Sequence, residues 1–197
     1  MNIDNILDAF NRKGFHAKYF KTPQEAIAHL CKEINNTTVG MGGSMTIRDL
    51  QIAEALADKN TVYPHISGDL ENTNKARGAK IYMLSANALS ATGEIINIDG
   101  FGNRVASSIQ GGAEKVYFIC GTNKLAEDTQ SAIQRAKNIA APKNAQRLGV
   151  KTPCAKNADK CYQCSSPERI CCVLSIMARP LYSAQANIIL IEGSYGF

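Results

Sequence analysis

Val39-Gly40-Met41-Gly42-Gly43-Ser44-Met45-Thr46 is a glycine-rich turn placed between an apolar strand and a helical stretch, with two hydroxyls at the helix start. Glycines let a ligand approach the backbone, unpaired N–H groups point outward, and the helix dipole adds positive potential, so the turn suits phosphate or carboxylate. Gly40, Gly42, Gly43, Ser44 and Thr46 are therefore candidate anion-binding residues. The alternative is a plain turn capped by Ser44 or Thr46. A dinucleotide fingerprint would need a further glycine and a P-loop would need a Gly-Lys-Ser/Thr ending; neither is present.

Small and polar residues concentrate again in Ser85-Ala86-Asn87-Ala88-Leu89-Ser90-Ala91-Thr92-Gly93-Glu94, which leads through Ile95 to Ile98 into Asp99-Gly100-Phe101-Gly102-Asn103-Arg104. Asn87 offers a side-chain amide at one strand end, and Asp99 and Arg104 offer a base and an anion clamp from the next loop. A hairpin with a Thr92-Gly93 turn, followed by a helix capped by Asn103, accounts for the same residues without chemistry. Gly121-Thr122-Asn123-Lys124 lies at a further strand end. Its Asn-Lys pair lacks the aspartate of a guanine-specifying loop, where Ala126 stands instead, so GTP is excluded and an anion contact by Asn123 and Lys124, or a solvated lysine, is left.

The chain has seven cysteines, of which Cys154-x6-Cys161-x2-Cys164-x6-Cys171 have a spacing that lets four thiolates surround one zinc ion or an iron–sulfur cluster. The paired CxxC knuckles of a structural zinc site and the CxxCxxC run of a ferredoxin are both absent. A redox dithiol and reduced packing cysteines therefore stay open beside a metal. Cys31 and Cys120 read as core residues, and Cys172 is an uncertain fifth. His16, His29 and His65 are far apart and read as surface or half-buried side chains. No GxSxG elbow or HExxH helix is present.

These segments need a scaffold. The 197 residues, 45% hydrophobic and 20% charged, suit one self-sufficient globular domain. A net charge of +5 without a run of five basic residues, and with scattered aromatics, fits a small anionic ligand better than nucleic acid. No apolar run is long enough to span a membrane, and the acidic N-terminal stretch does not resemble a secretory signal, so a cytoplasmic location with reduced thiols is expected. Thr22-Pro23-Gln24-Glu25 is a capping box that opens a helix. Helical spacing also covers residues 3–14, the stretch from Ile47 to Leu56, and Glu127 to Ala140, where Ala132, Ile133, Ala136 and Ile139 face inward and Pro142 lies beyond the end. Strands are expected at His16 to Phe20, Thr37 to Gly40, Thr61 to Ile66 at an edge because of Pro64, Lys80 to Leu84, Ile95 to Ile98, Val116 to Cys120 and Asn187 to Ile191. This alternation predicts an α/β fold with an open, mainly parallel sheet flanked by helices, its ligands bound at strand ends. Residues 143–172 form a Cys-rich C-terminal element within the single domain 1–197.

Taken together, GMGGSMT, SANALSATGEIINIDGFGNRV, VYFICGTNKL, AIQRAKNIAAPKNAQRL and the C…CxxC…RIC element resemble the lactate utilization (LUD) domain family in its short form. The resemblance runs from about Gly40 to Phe197. It implies a fold similar to the ribose-phosphate isomerase and CoA-transferase group, with Gly40, Gly42, Gly43, Ser44 and Thr46 as the anion cradle. Asn87, Asp99, Asn103 and Arg104 would be the reacting or orienting groups, and the absence of a nucleophilic glutamate at the Asn87 loop speaks against acyl transfer. Family members are linked to oxidation of L-lactate to pyruvate with partners that carry iron–sulfur centres. Without a flavin or nicotinamide fingerprint, this chain reads as an accessory or ligand-binding component beside an iron–sulfur oxidoreductase, with a homodimer also expected. A metal-bearing redox or assembly module is the second reading, and a sugar-phosphate isomerase or transferase-like enzyme the third.

Overall fold

The segment Lys115–Gly121 is apolar on both sides: Val116, Phe118 and Cys120 enter one buried cluster, while Tyr117 and Ile119 enter another. Such a strand must be covered on both faces, as in a parallel sheet between helices. The computed structural model, which describes residues 1–197, contains that sheet. Its strands are β1 (His16–Phe20), β2 (Thr38–Met41), β3 (Thr61–Tyr63), β4 (Ile81–Leu84), β7 (Lys115–Gly121) and β10 (Gln185–Ile191). All pair in parallel, in the order β1-β10-β7-β4-β2-β3, and β3, followed by Pro64, is an edge as the sequence suggests.

A second sheet, β8-β5-β6-β9, was not legible as such. It is built from β5 (Ala88–Ser90), β6 (Ile95–Asp99), β8 (Leu125–Ala126) and β9 (Val173–Met177). The Thr92-Gly93 turn, with φ +93° at the glycine, folds β5 against β6 as an antiparallel hairpin, so the 95–99 strand leaves the main sheet. Leu89 and Ile95 of this hairpin pack on the main core, and Ile96 and Ile98 pack on the alanines of a long helix.

Helices cover the remaining faces. They are α1 (Ile3–Arg12), α2 (Pro23–Glu33), α3 (Met45–Asp49), α4 (Ile52–Ala57), α5 (Leu70–Arg77), α6 (Asn103–Gln110), α7 (Thr129–Arg135), α8 (Ala141–Leu148) and α9 (Pro153–Asn157). The Thr22 and Glu25 capping box of α2 forms as expected. The 47–56 stretch is split into α3 and α4 because Gln51 takes the left-handed conformation, φ 51°. Helix α7 does not stop before Pro142. A π-turn at Ala136–Ala140 joins it to α8, and the wider turn relieves the clash a proline makes with the preceding carbonyls. The extra residue also rotates Ile139 outward, to 41% exposure, while Ala136 and Ala140 stay buried. No helix is long and apolar enough to cross a membrane.

Candidate functional site

The loops after β2, β3, β4 and β7 meet at the carboxyl ends of the parallel strands, around Lys124. A short 3-10 turn, Thr122–Lys124, carries this side chain back into the interior, where it is 3% exposed. Its Nζ donates to Thr46 Oγ1 at 2.9 Å, Ser85 Oγ at 2.9 Å and the Ala86 carbonyl at 3.1 Å. A buried ammonium requires such partners, since each unpaired donor would cost a lost hydrogen bond. Burial lowers the lysine pKa to about 8; Cys120 opposes the shift and Arg135 and Arg104 add to it. Lys124 and Thr46, both named from the sequence, are thus joined directly.

The glycine loop divides into structural and open parts. A Cβ on Gly40 would collide with the backbone of Ala76, so this glycine is required by the close packing of α5 on β2. At Gly42 a Cβ would lie 2.8 Å from both Arg104 Cγ and Tyr82 Oη, and at Gly43 it would lie 3.0 Å from His65 Cδ2. Arg104 and His65 therefore bracket the loop. Ser44 caps α3, its Oγ accepting from the Ile47 N–H at 3.3 Å. The Gly42 N–H donates to the Met83 carbonyl at 2.9 Å, whereas the N–H groups of Gly43 and Ser44 have no partner within the protein.

The second group of sequence-named residues holds the frame. Asp99 accepts from the N–H groups of Gly102, Arg104 and Val105, each at 3.1 Å, which uses both carboxylate oxygens. It, and not Asn103, caps α6, because Gly102 in the left-handed region (φ 84°) turns the chain so that the carboxylate faces the first N–H groups. Asn103 is the first residue of that helix. Asn87 Oδ1 accepts from the Ile98 N–H at 2.8 Å, and its carbonyl accepts from Arg135. Arg104 donates to the Ile98 carbonyl at 2.6 Å and lies 3.9 Å from Asp99. Asn123 secures the last residues: its Nδ2 donates to the Gly196 carbonyl, its Oδ1 accepts from the Tyr195 N–H, and the Tyr195 carbonyl accepts from Thr46.

Sequence spacing did not single out His65, Arg48, Arg135 or Arg147. The pKa of His65 is lowered by partial burial and by the charges of Arg104 and Arg147; that of Arg147 is lowered by burial and by Arg48. Arg135 donates to the carbonyls of Asn87 and Asn123. Arg135 and Arg147 lie near the two ends of RAKNIAAPKNAQRL, so that stretch carried the available signal. Of Lys124 and these four arginines, Arg104 included, only Arg104 has a carboxylate within 4.0 Å. A surface concavity of about 520 Å³, lined by Asn36, Thr38, Lys59, Asn60, Thr61 and Lys80 among others, lies at the opposite, amino ends of β2 to β4.

Cys120 lies in the cradle, its Sγ accepting from the Ala86 N–H at 3.4 Å and 3.6 Å from Ser85 Oγ, whereas the cysteines from Cys154 to Cys172 make no hydrogen bond to Lys124, Thr46 or Ser85. All seven are free thiols. Cys154 Sγ is 3.3 Å from Thr152 Oγ1, Cys161 Sγ accepts from the Gln163 N–H at 3.4 Å, and Cys171 Sγ accepts from Arg169 Nε at 3.1 Å. Arg169 also donates to the Cys164 carbonyl. No three Cys, His, Asp or Glu side chains are grouped closely enough to hold a metal ion as they stand, and Cys161, Cys164 and Cys171 all lie near enough to act on the Arg169 guanidinium.

The fold and the cradle define an α/β protein with a cation-rich site at the carboxyl ends of a parallel sheet. Residues 3–191 match the LUD domain, and the chain belongs to that family. In structure it is similar to a DUF162 family protein from Deinococcus radiodurans, with a TM-score of 0.55 at 10% identity, covering 97% of this chain and 96% of that one. Among curated proteins none matches in sequence.

Proposed function

We propose that this chain is a ligand-binding component of lactate utilization that holds a small anion at the strand-end cradle, beside an iron–sulfur oxidoreductase partner. The observation that carries the anion is the charge imbalance: Lys124 and the helix residues Arg48, Arg104, Arg135 and Arg147 lie near enough to act on one another or on His65, with Asp99 the one carboxylate within 4.0 Å of any of them and Asp49 acting on Lys124 from further off. Such an excess of one sign raises the local concentration of oppositely charged ligands. Membership of the LUD family supports the metabolic setting. In this reading Asp99 and Asn87 are positioning residues: Asp99 fixes the start of α6 and so places Arg104, and Asn87 ties the β4 loop to β6 and Arg135. A resemblance to the ribose-phosphate isomerase and CoA-transferase group would be in keeping with loops at strand ends as the binding elements.

A thermal-shift panel tests the reading, with sulfate, phosphate, lactate and pyruvate compared with chloride at equal ionic strength. At least one of these anions should raise the melting temperature of the native chain by several degrees, and the rise should vanish in Arg104→Ala and in Lys124→Met. Equal shifts in native and substituted proteins would remove the cradle as the site.

A further inference from the structure

Apart from the cradle, a half-enclosed cavity of about 180 Å³ lies between the second sheet and α6. Strand alternation decides what faces it. Ile96 and Ile98 of β6 pack on the alanines of the long helix, so Ile95 and Asn97 point to the opposite face, where β9 pairs Met177 with Ile95 and Ser175 with Asn97. All four line the cavity, and Ser108 of α6 and Phe118 of β7 help to close it. Asn97 is 4% exposed, and its Oδ1 is the one buried side-chain nitrogen or oxygen in the chain without a hydrogen-bond partner. A desolvated acceptor without a partner costs stability, and a molecule that enters the cavity and donates to it recovers that cost.

The neighbouring hydroxyls do not supply that hydrogen. Ser108 Oγ donates to the Val105 carbonyl at 2.9 Å, and Ser175 Oγ donates to the Asn97 carbonyl at 3.5 Å, so these three side chains turn acceptors toward the cavity. The exposed Arg179, also in the lining, donates to the Lys13 carbonyl at 3.4 Å. Most of the remaining surface is apolar. A space of this size suits a single ring, since an apolar cavity of about 150 Å³ holds benzene. Phe118 offers an aromatic surface and Met177 a thioether, both favourable neighbours for such a ring. We infer that this cavity is a second binding site, for a small one-ring aromatic molecule with a single O–H donor, a phenol. The hydroxyl donates to Asn97 Oδ1, and the ring lies among Ile95, Phe118 and Met177. The site is independent of the anion cradle.

Isothermal titration of the full chain with phenol, anisole and benzoate tests this. Phenol should bind at least about fivefold more tightly than anisole, which keeps the ring and lacks the O–H, and than benzoate, which has no donor and would turn to Arg179. Asn97→Leu removes the orphan acceptor at similar volume. It should weaken phenol about fivefold and leave anisole within about twofold. Because Asn97 is buried, a second variant is placed at Ala178, an exposed lining residue. Ala178→Trp should fill the cavity and abolish phenol binding while the urea midpoint stays near that of the native chain. Anisole or benzoate binding as tightly as phenol overturns the donor contact, and so does phenol binding that either variant leaves unchanged. If none of the three binds at millimolar concentration, the site falls and the anion cradle is unaffected.

Discussion

The cradle and the Cys-rich segment are both polar and irregular, yet they are held in opposite ways. In the cradle the ties span the chain: Lys124 reaches Thr46 across 78 residues and Ser85 across 39, Arg135 reaches Asn87 across 48, and Thr46 reaches Tyr195 across 149. In the Cys-rich segment most ties are local, such as Tyr162 to Asp159, Arg169 to Cys164 and Cys171, and Gln163 to Cys161. Its anchors to the body are few: the Cys161 N–H on Asn138 and the Cys172 N–H on the Asp99 carbonyl stand out. Polar groups pinned by distant strands are preorganised at little further cost, whereas locally bonded loops can open without the core. The cradle is therefore tied together by distant strands, and the Cys-rich stretch after α8 mainly by its own neighbours.

The largest effect that would break this contrast is steric. Gly40→Ala places a methyl group into the Ala76 backbone, which forces α5 away from β2. Urea unfolding should show a loss of about 3 kcal/mol, the upper end of overpacking penalties. The double substitution Cys161→Ser with Cys164→Ser, in the other region, should stay within about 0.5 kcal/mol of the native chain. A large loss from the cysteine pair would show that the segment is as integral as the cradle.

Next is the pH dependence of stability. Lys124 has a folded-state pKa of about 8 against an ordinary 10.5, so in this window the unfolded chain binds more protons than the folded one. Stability rises wherever the unfolded state binds more protons, so this contribution is present in full above 10.5 and is lost as pH falls to about 8. The slope approaches roughly 1.4 kcal/mol per pH unit. Subtracting the curve of Lys124→Met from that of the native chain isolates it from other titrating groups. A flat difference would mean that Lys124 is solvated and that the cradle is as open as the Cys-rich segment.

How far these regions were legible follows from the same physics. The main sheet could be read because each buried strand is a short apolar run, and Thr22 to Glu25 could be read because capping is local. The hairpin of β5 and β6 was one reading of the Thr92-Gly93 turn, whereas β8 escaped because it is two residues long and β9 because this partly exposed edge strand has no clean alternation. In the cradle, Thr46, Arg104 and Lys124 were visible as polar residues at strand ends. Arg48, His65 and Arg147 were not, because what gathers them is the crossing of loops far apart in sequence. The role of Asp99 was ambiguous until Gly102 showed which way the chain turns. The cysteine spacing left a metal, a dithiol and packing thiols open, because spacing fixes only how far thiols can lie apart; Cys154, Cys161 and Cys171 bond to different neighbours.

The smallest expected effect sharpens the contrast most. Ala158 closes α9 in the left-handed region, φ 52°, with its N–H on the Cys154 carbonyl at 2.9 Å. A residue with a Cβ pays about 1 kcal/mol there, and glycine recovers part of it after its own entropy loss on folding. Ala158→Gly should therefore gain roughly 0.5 kcal/mol. If the Cys-rich segment opens on its own, the gain is local. Native-state hydrogen exchange should slow about twofold at the Ala155 and Ala158 amides, while the amides of β7 exchange as before. Equal slowing at Phe118 and Ile119 would mean that the segment unfolds only with the whole sheet, and the distinction between the two regions would be lost.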